Sequence, residues 1–143
     1  MTYRVSVRDL SCVLVVLGLV AACAPCERSQ EILAKSNGRS VVSKFEACGQ
    51  IGTSLAASIV LRSASGHDKT IINYVPNGGQ AGCKWKLFPR AREGDAVTVD
   101  WSNPAAIHIS IGVVSSIADK HDEVDGVHIT YDIGTVISEA CKE

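Results

Sequence analysis

Six cysteines and four histidines give this 143-residue chain its widest chemical repertoire. Cys23-Ala24-Pro25-Cys26 has the spacing of a thioredoxin-like redox pair. Such a pair needs its first thiol at a helix N-terminus, where the dipole lowers the pKa. No strand precedes this one, so redox exchange is not expected. His67, His108, His121 and His128 raise the question of zinc. If the runs around His108 and His128 form a simple hairpin centred near residue 120, His108 lies opposite Asp132 and His128 opposite Gly112. The two rings are then about 13–14 Å apart along the ladder, too far for one ion with Zn–N bonds of about 2.0–2.1 Å. Surface histidines on a sheet are the simpler reading, and no metal ligand is assigned. The cluster Asp119, His121, Asp122, Glu123 and Asp125 lacks the internal glycine and terminal glutamate of an EF-hand loop. Ser, His and Asp all occur, yet no G-x-S-x-G elbow does, and Ser63-Ala64-Ser65-Gly66 reads as a turn. There is no glycine-rich phosphate loop. No catalytic residue and no cofactor is expected. Trp85 and Trp101 sit within strand-like runs and read as core or sheet-face residues.

Cys23 has a different prospect. Arg4 and Arg8 precede an apolar run from Leu10 to Val20, and Val20-Ala21-Ala22-Cys23 closes it. The run is too short to span a hydrocarbon core, which takes about 20 residues. Small residues before a cysteine resemble the lipobox of bacterial lipoproteins. That resemblance implies cleavage after residue 22 and a diacylglycerol on the Cys23 thiol. Residues 1–22 are then a lipoprotein signal peptide, 23–35 an anchor segment with the first strand, and 36–143 the remainder of a single β domain. Ordinary secretion, with cleavage after Ala22 or Ala24, is the plainer alternative. A triacylated cysteine anchors stably by itself, because two or more chains suffice.

Composition narrows the classes. The 143 residues less a 22-residue leader leave 121, enough for one small domain. The mature part carries 12 Lys+Arg and 14 Asp+Glu. No strongly basic face is expected, which argues against a nucleic-acid partner. Besides Cys12 in the leader and Cys23, four cysteines remain: Cys26, Cys48, Cys83 and Cys141. An even count suits an oxidising compartment and allows two disulfides in three connectivities.

The elements that position these residues are strands. Turn chemistry recurs at Asn37-Gly38, Gly49-Gln50-Ile51-Gly52, Ser65-Gly66, Pro76-Asn77-Gly78-Gly79, Glu93-Gly94-Asp95 and Asn103-Pro104. Between them lie β-rich runs at 41–47, 55–62, 70–75, 83–88, 96–101, 107–114 and 127–133. Val97, Val99 and Trp101 alternate with polar neighbours. So do Ile107, Ile109, Ile111 and Val113, and again Val127, Ile129, Tyr131 and Ile133. Period-2 alternation marks half-buried strands. The expected fold is all-β: a small antiparallel sandwich or open barrel of about seven or eight strands. Residues 115–126 are expected to form a polar exposed loop, and 135–141 a last strand or short helix. Residues 27–35 read as a strand returning across Asn37-Gly38, a strong hairpin dipeptide.

That hairpin makes a disulfide prediction. A two-residue turn at Asn37-Gly38 pairs residues whose numbers sum to about 75. Cys26 and Cys48 fall one short, and a bulge at the turn absorbs the difference. Cross-strand neighbours about 4.5–5.5 Å apart lie within disulfide reach. Cys26–Cys48 is therefore predicted, leaving Cys83–Cys141; were residues 27–35 a helix instead, the arithmetic would fail and Cys48–Cys83 would be the alternative.

Lys35 to Leu61 also carries a resemblance. Ser36-Asn37-Gly38-Arg39, Val41-Val42-Ser43-Lys44-Phe45, Cys48-Gly49, Thr53-Ser54 and Ser58-Ile59-Val60-Leu61 follow one another, with Val97-Thr98-Val99-Asp100-Trp101 and Ile107-His108-Ile109 later. The series resembles a group of small bacterial envelope lipoproteins of uncharacterised function. It implies a β fold and an envelope location, and no active site. Ala24, after the cysteine, resembles the pattern sorted to an outer membrane, facing the periplasm. The expected role is non-enzymatic: binding an envelope protein partner, or supporting the envelope, while held to the membrane through Cys23. The alternatives are a periplasmic inhibitor or exclusion/immunity lipoprotein, and a metal- or small-ligand-binding protein.

Overall fold

The computed structural model describes residues 26–49, 54–77 and 97–140. The expectations for the leader, Cys23, Cys83, Cys141 and the run 83–88 with Trp85 lie outside these residues. Within them the fold is all-β, as expected. Eight strands form one open, mixed sheet: β1 (Cys26–Ser36), β2 (Arg39–Cys48), β3 (Ser54–Arg62), β4 (Asp68–Pro76), β5 (Val97–Asn103), β6 (Ala106–Lys120), β7 (Glu123–Val124) and β8 (Val127–Val136). A one-turn helix, α1 (Ile137–Ala140), follows β8.

The first four strands form an antiparallel meander. Asn37 and Gly38 both have positive φ, 49° and 74°, as the two centres of a type I′ turn require. Register then runs from Ser36↔Arg39 to Ala34↔Val41, slips once at Leu33, and continues from Ile32↔Val42 to Cys26↔Cys48. The extra residue that brings the cysteines opposite is thus a bulge at Leu33, and not at the turn. Cys26 and Cys48 form a disulfide with a Cα separation of 4.1 Å.

β6 organises the rest. β8 and β4 both pair with Val114, so they occupy opposite edges of β6. β5 pairs with Val97↔Ile111 to Asn103↔Ala106, opposite β8, on the same edge as β4. β4 and β5 therefore follow one another end to end along one edge of a 15-residue strand. Register slips at Ser115 and Ala118. Such bulges bend a strand and raise its twist. The bend brings the end of β6 back toward the start of β8, where the Ile129 amide donates to the Asp122 carbonyl at 2.8 Å. β1 lies against β5, and β4 against β7, so the two halves of the sheet face each other across the core.

Two expectations change here. Residues 115–126 are not one exposed loop. Ser115–Lys120 continue β6 and pair with β4, which gives their backbone groups ladder partners. Glu123–Val124 then form β7 and pair with the start of β8 across Asp125-Gly126, both at positive φ. The antiparallel meander also stops at β6: β6 and β8 run parallel, from Ala106↔His128 to Val114↔Val136.

The core is built from Val41, Ile59, Leu61, Ile71, Ile72, Ile107, Ile109, Ile111, Val114, Val127 and Ile129, with Tyr74 and Trp101. The alternating rows read from the sequence meet here, except that Val114, and not Val113, continues the row of Ile107, Ile109 and Ile111 into the core. Val42 and Val60 are paired on the opposite face, yet are 0% and 4% exposed. An ion network bridges that row. Arg62 donates to both carboxylate oxygens of Asp68 (2.7 and 2.9 Å) and to Gln30 Oε1 (3.2 Å), and Lys44 reaches Asp68 at 2.7 Å.

Candidate functional site

The chemistry-bearing residues fall in four places. The first is the end of the β1–β2 hairpin. Cys26, Cys48 and Glu46 come close enough to suggest a metal group. Both sulfurs are bonded to each other, so neither offers a thiolate, the form a metal requires.

The second is the β3–β4 turn. Ser65 Oγ lies 3.0 Å from His67 Nδ1, and Ser63 Oγ lies 2.8 Å from Ser65 Oγ. The His67 amide donates to Ser63 Oγ, and the Gly66 amide to the Ser63 carbonyl. Gly66 takes φ 85°. These bonds close the turn expected from the sequence. The neighbouring carboxylate, Asp68, does not orient the imidazole: it is held by Arg62 and Lys44. Hydrogen bonding from Arg62, reinforced by Lys44 and opposed by burial, keeps the Asp68 carboxyl well below the usual carboxylate range.

The third is the outward face of β5, β6 and β8. Pairing sets Asp100, His108 and Thr130 in one row and Thr98, Ser110 and Asp132 in the next. His108 therefore lies opposite Thr130, not Asp132, and its Nδ1 is 2.9 Å from Thr130 Oγ1. His128 pairs with Ala106 on the same face, two ladder positions away. The parallel register brings the two histidines closer than a hairpin would, at about 3.3 Å per position along the strand. Even so, they do not join a metal-sized group among the described residues. His121 pairs with Asp119 at 2.9 Å, and Asp125 with Lys69. The acidic cluster is thus spread over a strand end, a turn and a hairpin rather than wrapped round one point. Tyr131 lies behind it. Its hydroxyl donates to the carbonyls of Ile71 and His121, and burial, with the charge of Asp122 adding, pushes its pKa up to about 12.

The fourth is a half-open groove of about 650 Å³ across β1, β2, β3, β4 and β6. Arg28, Gln30, Lys44, Glu46, Ala56, Ser58, Asn73 and Val75 line it, together with the intervening Ser29, Phe45, Ala57 and Tyr74. The first eight share one face by register, the face of Val42 and Val60. The intervening four alternate with them toward the core side by register. Small side chains at Ala56 and Ser58 on the middle strand make the depression. Arg28 and Glu46 pair at 3.1 Å along its rim. Its volume lies in the range of small-molecule sites, about 300–1,000 Å³. Nothing in the sequence signalled it, because a trough on a sheet depends on which small residues become neighbours across strands. The β7–β8 hairpin was also missed, although Asp125-Gly126 between Val124 and Val127 is its signal.

Compared with known protein families, curated proteins and solved structures, the chain matches none.

Proposed function

We propose that this chain is a lipid-anchored envelope protein, held through Cys23, whose β domain binds a partner and performs no catalysis. One observation carries the reading. The Cys26–Cys48 disulfide lies three residues beyond Cys23 and ties the chain there to the first hairpin. A disulfide suits a compartment outside the reducing cytosol. A fastening so close to the anchor would hold the sheet within about 10 Å of the lipid's attachment point, at about 3.3–3.6 Å per extended residue. The Val20-Ala21-Ala22-Cys23 segment and the resemblance to small envelope lipoproteins support the same location. The open outward groove and the outward row of Asp, His and Thr side chains support a binding role.

Radiolabelled palmitate tests the anchor. It is expected in the wild-type protein and absent from Cys23→Ser. Equal labelling of both overturns the lipid assignment.

A further inference from the structure

The most distinctive unused feature is the outer edge of β8. His128 donates its amide to the Ala105 carbonyl on the β6 side, whereas Ile129 donates to Asp122 on the other side. Backbone direction alternates along a strand. The N–H and C=O groups of Tyr131, Ile133 and Thr135 therefore point away from β6. β7 covers β8 only at Val127 and His128. Beyond Ile129 these outward groups have no backbone partner among the described residues.

An open edge invites another strand unless charges, prolines or bulges block it. β1, the opposite edge, has such blocks: Glu27, Arg28, Glu31 and Lys35, and the bulge at Leu33. β8 is regular from Val127 to Val136 and carries one charged side chain, Asp132. Its core-side residues Tyr131 and Ile133 are only half-buried. On the outward side, Gly134 lies against Gly112, so close that a Cβ on Gly134 would come within 3.3 Å of the Gly112 carbonyl oxygen. The two glycines leave a bare strip beside Asp132.

Acids outnumber bases around this edge, although Lys69 pairs with Asp125 and Lys120 lies over the Tyr131 ring. Residues 97–140 hold seven carboxylates, Asp100, Asp119, Asp122, Glu123, Asp125, Asp132 and Glu139, and a single cation, Lys120. Glu123 and Asp125 stand at the start of β8, Asp132 at its middle, and Glu139 just beyond its end. Among the described residues, Glu123, Asp132 and Glu139 form no salt bridge.

We propose that the β8 edge receives an extended, cationic segment of a partner protein as an added strand. The backbone groups of Tyr131, Ile133 and Thr135 supply the ladder, as in other strand additions. Apolar residues of the incoming strand extend the core beside Tyr131 and Ile133. Alternate lysines or arginines lie over the Gly112–Gly134 strip and meet Asp132. This deepens the binding role above and does not depend on the lipid, so palmitate labelling and the following test fail separately.

The test titrates ¹⁵N-labelled protein, purified from its own cells with the disulfide oxidised. One probe is the capped hexapeptide of alternating lysine and valine, and the control is its glutamate–valine counterpart. The lysine peptide is expected to shift the amide signals of Tyr131, Ile133 and Thr135, to slow their hydrogen exchange, and to weaken with added salt. The glutamate peptide is expected to leave them unchanged. Asp132→Lys, an exposed change, should weaken binding about tenfold through like-charge repulsion. Thr135→Pro removes an N–H that the free fold does not use and should also weaken binding. Equal response to both peptides, shifts confined to other strands, or self-association through β8 in place of peptide binding would each overturn the proposal.

Discussion

The two halves of this sheet are held by different means. β1 to β4 pair with their neighbours in sequence, carry six basic and four acidic residues, and are tied by a disulfide and an ion network. β5 to β8 depend on β6 and pair partly in parallel, and residues 97–140 carry seven acids against one lysine. The first half is stabilised by contacts near in sequence. The second buries isoleucines along β6, which pairs in parallel with β8 and joins the first half through its long-range pairing with β4. The edges follow suit: β1 is guarded by mixed charge and a bulge, while β8 is regular and, among the described residues, open beyond Ile129. An acidic surface around an open edge favours a cationic visitor and repels a second acidic copy.

The largest effect that tests this contrast is expected in the second half. Ile109 is fully buried at the meeting of β5, β6 and β8. Ile109→Ala should cost about 2–5 kcal/mol, for lost transfer energy and the cavity left behind. Urea unfolding measures it, and a loss under about 1 kcal/mol would mean that this junction does not hold the half together.

The disulfide should come next. It closes a separation of 22 residues, and replacing both Cys26 and Cys48 by serine should cost about 2–4 kcal/mol. Hydrogen exchange sharpens the comparison. Amides of β1 and β2 should lose protection first, with β6 and β8 following only in global unfolding. Equal loss everywhere would erase the distinction between the halves.

The ion network should give the smallest effect, and a signed pH dependence. Asp68 is held below its ordinary range in the folded chain, mainly by Arg62. The unfolded chain therefore takes up the proton first as pH falls. The stabilisation is complete well above the unfolded carboxylate's pKa, about 3.9, and fades progressively as acid is added below about pH 5. Asp68→Asn should cost about 1 kcal/mol near neutrality, solvent screening having reduced the pair's worth. The difference between variant and wild type should narrow toward pH 3. A constant difference from pH 7 to 3 would assign the effect to packing.

Much of the first half was legible because its signals are local. Asn37-Gly38 sets a turn and a register, and that register puts Cys26 opposite Cys48. Only the site of the bulge differed, at Leu33 rather than at the turn, since a bulge leaves no mark in the spacing of two cysteines. The alternating rows of β5, β6 and β8 were equally plain. Their neighbours were not: Ser115–Lys120 looked like a loop because polar residues crowd it, although its backbone pairs with β4 and Ile117 reaches the core.

The sequence by itself determined the all-β class, the strand rows, the first turn, the nearness of Cys26 to Cys48 and the charge imbalance along the chain. All follow from composition, from period-2 patterning and from contacts between residues close in sequence. The tertiary structure alone decided that β8 runs parallel to β6, that β4 and β5 share an edge, that His108 meets Thr130, and that a groove opens over Ala56 and Ser58. The physical reason is that side chains alternate with period 2 whichever way a neighbouring strand runs. Direction and partnership are settled by the bends of a long strand and by the burial those bends allow.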